Sequence, residues 1–121
     1  MRVLLVDDDS GSLHGMRLAL TMLRHSCDAC SDPVEAVQRY VCQSHDVIIT
    51  DVVMPMLDGL AFADKIYRIN RGARIVFMSA NFLNMAEFKT TADVKPVFLR
   101  KPIDFCLLKQ VLDAADSGVS R

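Results

Sequence analysis

The chain predicts one α/β domain over residues 1–121, a doubly wound parallel sheet of (βα)5 order. Three observations carry this expectation. The runs VLLV at 3–6, VIIT at 47–50 and ARIVFM at 73–78 have the length and apolar content of strands covered on both faces. Stretches with apolar residues at helical spacing alternate with them. Such alternation closes into one sheet through right-handed crossovers. A chain of 121 residues suits one domain with its own core.

The elements follow in order. Arg2–Val6 is the first strand and ends in Asp7, Asp8 and Asp9. Ser10 or Ser12 can cap a helix to about Leu23, with Leu13, Met16, Leu20 and Leu23 as its apolar stripe. His25–Ser31 has mixed polarity and reads as a short strand at a sheet edge. Asp32-Pro33-Val34-Glu35 is a helix start: Asp32 caps, Pro33 fits the first helical position and Glu35 can close a capping box. Val34, Val37 and Val41 are the expected buried stripe. Val47–Thr50 is the central strand and delivers Asp51 to its C-terminal end. Pro55 and the Asp58-Gly59 pair turn the chain into a helix over Leu60–Asn70, with Leu60, Ala63 and Ile66 inward. The strand Ala73–Met78 ends at Ser79-Ala80-Asn81. A fourth helix is expected at about Leu83–Thr91 and a short fifth strand at Val97–Leu99, with Pro96 at its entrance. Asp104 caps the last helix, whose stripe is Leu108, Val111, Leu112 and Ala115.

Composition narrows the function. The net charge of −1 leaves no nucleic-acid footprint, and no apolar run approaches the ~20 residues of a membrane span. No signal-peptide pattern opens the chain, so a cytoplasmic protein is expected. Met1 leading straight into a strand fits a stand-alone protein or the N-terminal part of a longer one. Cys27 and Cys30 form a C-x-x-C, but no second pair and no H-x-x-x-H accompanies it. On a strand, residues three apart face opposite ways, so both read as small buried hydrophobes. His14, His25 and His45 form no ligand spacing and read as surface or boundary residues.

The strand ends carry the chemistry. In an open α/β sheet the crevice beyond the strand C-termini is where ligands bind. Asp7 and Asp8, Asp51, Ser79 and Lys101 each follow a strand. Neighbouring first and third strands would bring three carboxylates into one cleft, and like charges ~4 Å apart repel by about 4 kcal/mol at an effective dielectric of 20. An all-oxygen set without histidine suits a hard cation, Mg²⁺ first, with Mn²⁺ as a second candidate. A cation beside an aspartate, a lysine and a hydroxyl is equipment for phosphoryl transfer, in which the carboxylate can be the nucleophile.

VLLVDDD, DVIITDVVMPMLDG, FMSAN and FLRKP, in this order and spacing, resemble the receiver domain of two-component response regulators. The resemblance covers essentially the whole chain and implies the flavodoxin-like strand order 2-1-3-4-5, for which a receiver is a standing example. By position it makes Asp51 the phosphoacceptor. Asp7, Asp8, Asp51 and the Val53 main-chain carbonyl would hold Mg²⁺, Asp7 through water. Lys101, ahead of an often cis bond to Pro102, would contact the phosphoryl group. Ser79 and Phe98 would be the switch pair, and Val53 and Asn81 would tune dephosphorylation. The implied donor is a phosphohistidine of a sensor histidine kinase or histidine phosphotransfer protein. The implied output is a domain or target protein at the face of the fourth helix, fifth strand and last helix, with phosphorylation-dependent homodimerisation as an option. Such a domain catalyses only its own phosphorylation and dephosphorylation. It makes no direct contact with nucleic acid or membrane. Two alternatives remain at this point. One is a phosphorylation-independent protein-binding pseudo-receiver. The other is a haloacid-dehalogenase-type phosphatase using Asp7 and Asp9, for which the chain is short and Gly11 stands where Thr or Val is expected.

Overall fold

The computed structural model describes residues 1–52, 59–80 and 97–117. The turn through Val53, Pro55 and Asp58, the position of Asn81, the helix expected at Leu83–Thr91 and Pro96 lie outside the described residues. Within them the order is β1 (Arg2–Val6), α1 (Ser10–Met22), β2 (Ser26–Cys30), α2 (Pro33–Gln43), β3 (Val47–Asp51), α3 (Gly59–Ile69), β4 (Ile75–Ser79), β5 (Val97–Arg100) and α4 (Phe105–Ser117).

All strand pairs are parallel and the sheet order is β2-β1-β3-β4-β5. This is the expected flavodoxin-like order, with the chain reversing direction of travel between β1 and β3. The central strands β1, β3 and β4 bury both faces, and their side chains alternate between two apolar layers, while the edge strands β2 and β5 are partly exposed. Leu4, Val6, Ile48 and Phe77 pack under α2 and α3 with Ala36, Tyr40, Phe62 and Ile66. Val3, Leu5, Ile49, Val76 and Met78 pack under α1 and α4 with Met16, Leu20, Leu108 and Leu112. Each fully buried Leu, Ile or Phe contributes roughly 1.5–3 kcal/mol of transfer free energy. The stripes expected for α1 and α4 are therefore observed.

Other expectations need correction. Asp9, not Ser10 or Ser12, caps α1: its carboxylate accepts from the Gly11 and Ser12 amides and from the Ser12 hydroxyl. The carboxylate sits just ahead of the helix, one residue before Ser10 and three before Ser12, and its two oxygens reach two orphan amides at once. The face of α2 is rotated from the valine stripe. Pro33, Ala36 and Tyr40 are buried and Val37 packs against the core as expected, whereas Val34 and Val41 are 48% and 57% exposed. Small Ala36 permits close approach to the sheet, and the Tyr40 ring outweighs a valine in buried area. The Tyr40 hydroxyl accepts from Asn70 Nδ2 at 3.0 Å, so its burial leaves a satisfied polar tip. Glu35 pairs with Arg39 at 3.0 Å, one turn on. In α3, Phe62 and Tyr67 join Ala63 and Ile66 inside, while Leu60 is only half-buried.

His45 is the clearest departure. Its side chain is fully buried, its ring stacks on Tyr40 at 6.3 Å, and Nε2 lies 2.7 Å from Asp28 Oδ2 on β2. A lone histidine before a strand carries no sequence signal for that partnership. Cys27 and Cys30 do face opposite layers, and all four cysteines are free thiols. Burial pushes the Cys27 thiol up to about 11 and raises that of Cys30. Among the described residues no helix is long and apolar enough to cross a membrane.

Candidate functional site

β1 and β3 are neighbours with Val6 opposite Thr50, so the residues that follow them leave the sheet side by side. Asp7 is fully buried there, Asp51 is half-buried and Asp8 is exposed. One carboxylate oxygen from each lies within 4.8 Å of the other two.

Asp7 is anchored on three sides. Its amide donates to the Cys30 carbonyl at 3.1 Å, tying the end of β1 to the edge strand. Its Oδ1 accepts from the Asp9 amide at 3.0 Å, and its Oδ2 accepts from Lys101 Nζ at 2.9 Å. The same ammonium reaches Asp51 Oδ2 at 3.2 Å. Lys101 arrives from β5, on the far side of β4. Its amide donates to the Ser79 carbonyl at 2.9 Å, and the Lys101–Pro102 bond is cis, as the resemblance implied. The backbone thus aims the lysine back across the strand ends. Burial lowers the Lys101 pKa, but the hydrogen bond that Lys101 donates to Asp7 and the charges of Asp51 and Asp7 outweigh it, and the net direction is up.

The charge at the cleft is unbalanced. At 4.8 Å and an effective dielectric of 20, each carboxylate pair repels by about 3.5 kcal/mol. One ammonium offsets one of three negative charges. The donor set is all oxygen, with Asp8 open to solvent, and fits a hard divalent cation that keeps bound water. Asp9 stands apart: its side chain is committed to the α1 cap, and the Ser12 hydroxyl with the Gly11 and Ser12 amides lowers its pKa. That leaves it unsuited to the acid/base role of the phosphatase alternative.

Ser79 is buried at the end of β4. Phe98 on β5 is half-buried in the α2–α3 layer, with its ring 5.6 Å from Phe77. The structure therefore gathers Asp7, Asp8, Asp51 and Lys101, and places Ser79 on the backbone that holds Lys101. Val53 and Asn81 lie outside the described residues. Sequence reasoning missed the fit of Gly59. Its amide donates to the Val52 carbonyl at 2.7 Å, and it is buried against the Asp51–Val52 backbone. In the sequence the Asp-Gly pair signals only a turn, although its glycine opens α3.

A cavity of about 340 Å³ opens beside Lys101, lined by Ser12, Met16, Met78, Pro102 and Phe105 among others.

The family model for the response regulator receiver domain matches residues 3–113. The transcriptional regulatory protein GlrR of Escherichia coli is 28% identical over 113 residues, covering 93% of this chain and 26% of GlrR. The chain spans about a quarter of the length of such curated relatives. Vibrio cholerae chemotaxis protein CheY4 superposes with a TM-score of 0.85 at 22% identity, covering 94% of this chain and 97% of that one. The receiver domain of sensor histidine kinase PA1611 from Pseudomonas aeruginosa, solved with a magnesium ion coordinated in the active site cleft, superposes with a TM-score of 0.81 at 23% identity, covering 93% and 94%. At those identities the structural likeness is one of fold. The family match spans nearly the whole chain, and with the strand order it establishes that this protein belongs to the response regulator receiver domain family.

Proposed function

We propose that this domain takes a phosphoryl group from a phosphohistidine onto Asp51 and uses the modified state to control an output. The observation that carries the reading is one ammonium, Lys101, shared between Asp7 and Asp51 where two neighbouring strands end. An Asp51 oxygen attacks phosphorus as the phosphorus–nitrogen bond of the donor histidine breaks, and that nitrogen keeps the bonding pair. The products are an acyl phosphate on Asp51 and a neutral histidine once the imidazole is protonated as appropriate. Lys101 moves its hydrogen bond to a phosphoryl oxygen, where its charge meets the charge that develops. Asp7, tied by the Asp9 amide, keeps its position while that happens.

Asp7, Asp8 and Asp51 would hold Mg²⁺, with Mn²⁺ as the second candidate, and the magnesium-bound PA1611 receiver supports that fit. When bound, the cation supplies further charge neutralisation at the transferring oxygens. The domain catalyses only its own phosphorylation and dephosphorylation, in the cytoplasm. The donor is a sensor histidine kinase or a histidine phosphotransfer protein.

Phosphorylation takes Asp51 from one negative charge to roughly −2 and adds acceptor oxygens. Ser79, buried beside the site, can turn to donate to one of them. Phe98 can follow into the space it leaves, changing the face that carries β5 and α4. A full shift from 1:99 to 99:1 takes ~5.5 kcal/mol, and one charge-assisted hydrogen bond supplies only ~1.5–3 kcal/mol. The shift is therefore partial until an output partner or a second copy of the domain binds that face.

The test is intact mass after incubation with acetyl phosphate and Mg²⁺. One added phosphoryl group in the wild type and none in Asp51→Asn supports the reading. No addition to the wild type, together with no tight beryllofluoride complex, would instead identify a pseudo-receiver.

A further inference from the structure

A β-carbon built on Gly59 would stand 2.6 Å from the Asp51 carbonyl oxygen, 2.8 Å from Val52 Cα and 3.1 Å from the Val52 carbonyl oxygen. All three are backbone atoms, so no side chain can rotate away to make room. The fit is specific to this glycine. A β-carbon on Gly15, also within a helix, would meet nothing within 4 Å. The Gly59 amide meanwhile donates to the Val52 carbonyl at 2.7 Å, and the Val52 amide donates to the Met78 carbonyl at 3.0 Å. The first turn of α3 is thus pressed onto the end of β3 at the residue that carries the Asp51 carboxylate. The remainder of α3 is held by Phe62, Ala63 and Ile66, all fully buried. The helix cannot lift without opening that layer, so an added β-carbon would push the strand end instead.

We infer that Gly59 is a positioning residue for phosphorylation: its missing side chain lets α3 clamp the Asp51–Val52 backbone and set where the Asp51 carboxylate meets Lys101 and Asp7. The inference rests on the reading of Asp51 as the phosphoacceptor. Displacement of a reacting group by about 1 Å can cost on the order of 100-fold in rate. Gly59→Ala should therefore label with acetyl phosphate and Mg²⁺ at least tenfold more slowly than the wild type, at a temperature where both are folded.

Ile66→Val on the same helix serves as a control for lost stability, since it loosens the α3 layer without touching the strand end. The expected result is slow labelling and displaced Asp51 and Val52 amide resonances in Gly59→Ala, with both near wild type in Ile66→Val. Labelling of Gly59→Ala within threefold of the wild type would overturn the inference, as would equal slowing in Ile66→Val. A wild type that neither labels nor forms a tight beryllofluoride complex would overturn the phosphoacceptor reading itself, and is distinguished by that arm alone. If Gly59→Ala does not fold, the wild type still decides. A Gly59 amide protected from hydrogen exchange, whose resonance shifts on labelling, supports the clamp, and an unprotected one overturns it.

Discussion

Lys101→Ala should weaken the metal-free fold and strengthen cation binding at the same time. Lys101 Nζ sits 2.9 Å from Asp7 and 3.2 Å from Asp51, so each attraction is about 5–6 kcal/mol at an effective dielectric of 20. Desolvation of the ammonium and of buried Asp7 cancels much of this, and the lysine side chain keeps 21% of its surface in water. After that screening the net loss should be about 2–3 kcal/mol. Part of it is the cost of leaving the Asp7 carboxylate buried with only the Asp9 amide as partner among the contacts described.

The same arithmetic has a second consequence. With the ammonium gone, the ~3.5 kcal/mol repulsion between each carboxylate pair is left for a cation to relieve. Mg²⁺ affinity should rise by about tenfold, equivalent to ~1.4 kcal/mol. Urea unfolding with chelator and in a magnesium series measures both numbers on one protein, because a ligand of the native state stabilises by RT ln(1 + [L]/Kd). Labelling of Asp51 should nevertheless fall by roughly 100-fold or more, since a transition-state donor is lost. A metal-free variant as stable as the wild type would refute the reasoning. So would a variant that binds Mg²⁺ more weakly, because the ammonium would then be assisting the cation and not competing with it.

Asp28→Ala removes the partner of a buried ring nitrogen, so it should cost about 1–3 kcal/mol in urea unfolding while Asp51 labelling stays near wild type. Asp9→Ala should lower the urea midpoint at neutral pH and leave labelling intact. Because the folded pKa of Asp9 is depressed, its contribution is present above about pH 4 and fades as pH falls further, so the midpoints of variant and wild type should converge in acid. Iodoacetamide at pH 8 should modify exposed Cys42 and Cys106 well before Cys27 and Cys30, as read by peptide mass. The folded Cys27 thiol holds its proton up to about 11, above its ordinary value of 9.0. Its contribution to stability is therefore complete below pH 9 and lost as pH rises toward 11, and Cys27→Ala should flatten that decline.

What could be read from the residues alone follows from which signals are local. Strands covered on both faces announce themselves, so β1, β3 and β4 were found within about two residues. Asp7, Asp8, Asp51 and Lys101 were legible because each follows a strand, and the strand order then decides which of them meet. Helix faces were less legible. The valines of α2 have the right spacing for a stripe, yet Tyr40 takes the buried position because its hydroxyl has a partner thirty residues on, in Asn70. His45 was misread for the same reason: Asp28 lies on β2, and nothing near residue 45 in the chain signals it. Asp9 was nearly legible, since three consecutive aspartates exceed what the cleft uses. Gly59 was visible only as half of a turn pair, because its closeness to Asp51 depends on how α3 lies across the strand end.

The two ends of the sheet divide the work. At the N-terminal ends the charged groups find partners: the Arg2 amide donates to Asp46 at 2.7 Å, its guanidinium to the Gln43 carbonyl at 2.9 Å, and His45 Nε2 pairs with Asp28, while His45 Nδ1 is buried with no hydrogen-bond partner among the described residues. At the C-terminal ends three carboxylates converge and one ammonium bridges two of them, a state whose free energy falls when a cation arrives. A protein selected only for stability would neutralise that end too, for example by making Asp8 apolar or pairing it. The imbalance persists beside a strand end clamped by Gly59 and a lysine aimed by the Ser79 backbone, so the positions are fixed while the charge is not. That combination makes a chemical event at Asp51 able to shift an equilibrium without first reorganising the fold. It also explains why Asp28→Ala at the base of the sheet should move the unfolding midpoint alone, whereas Lys101→Ala at the top should move the labelling rate as well.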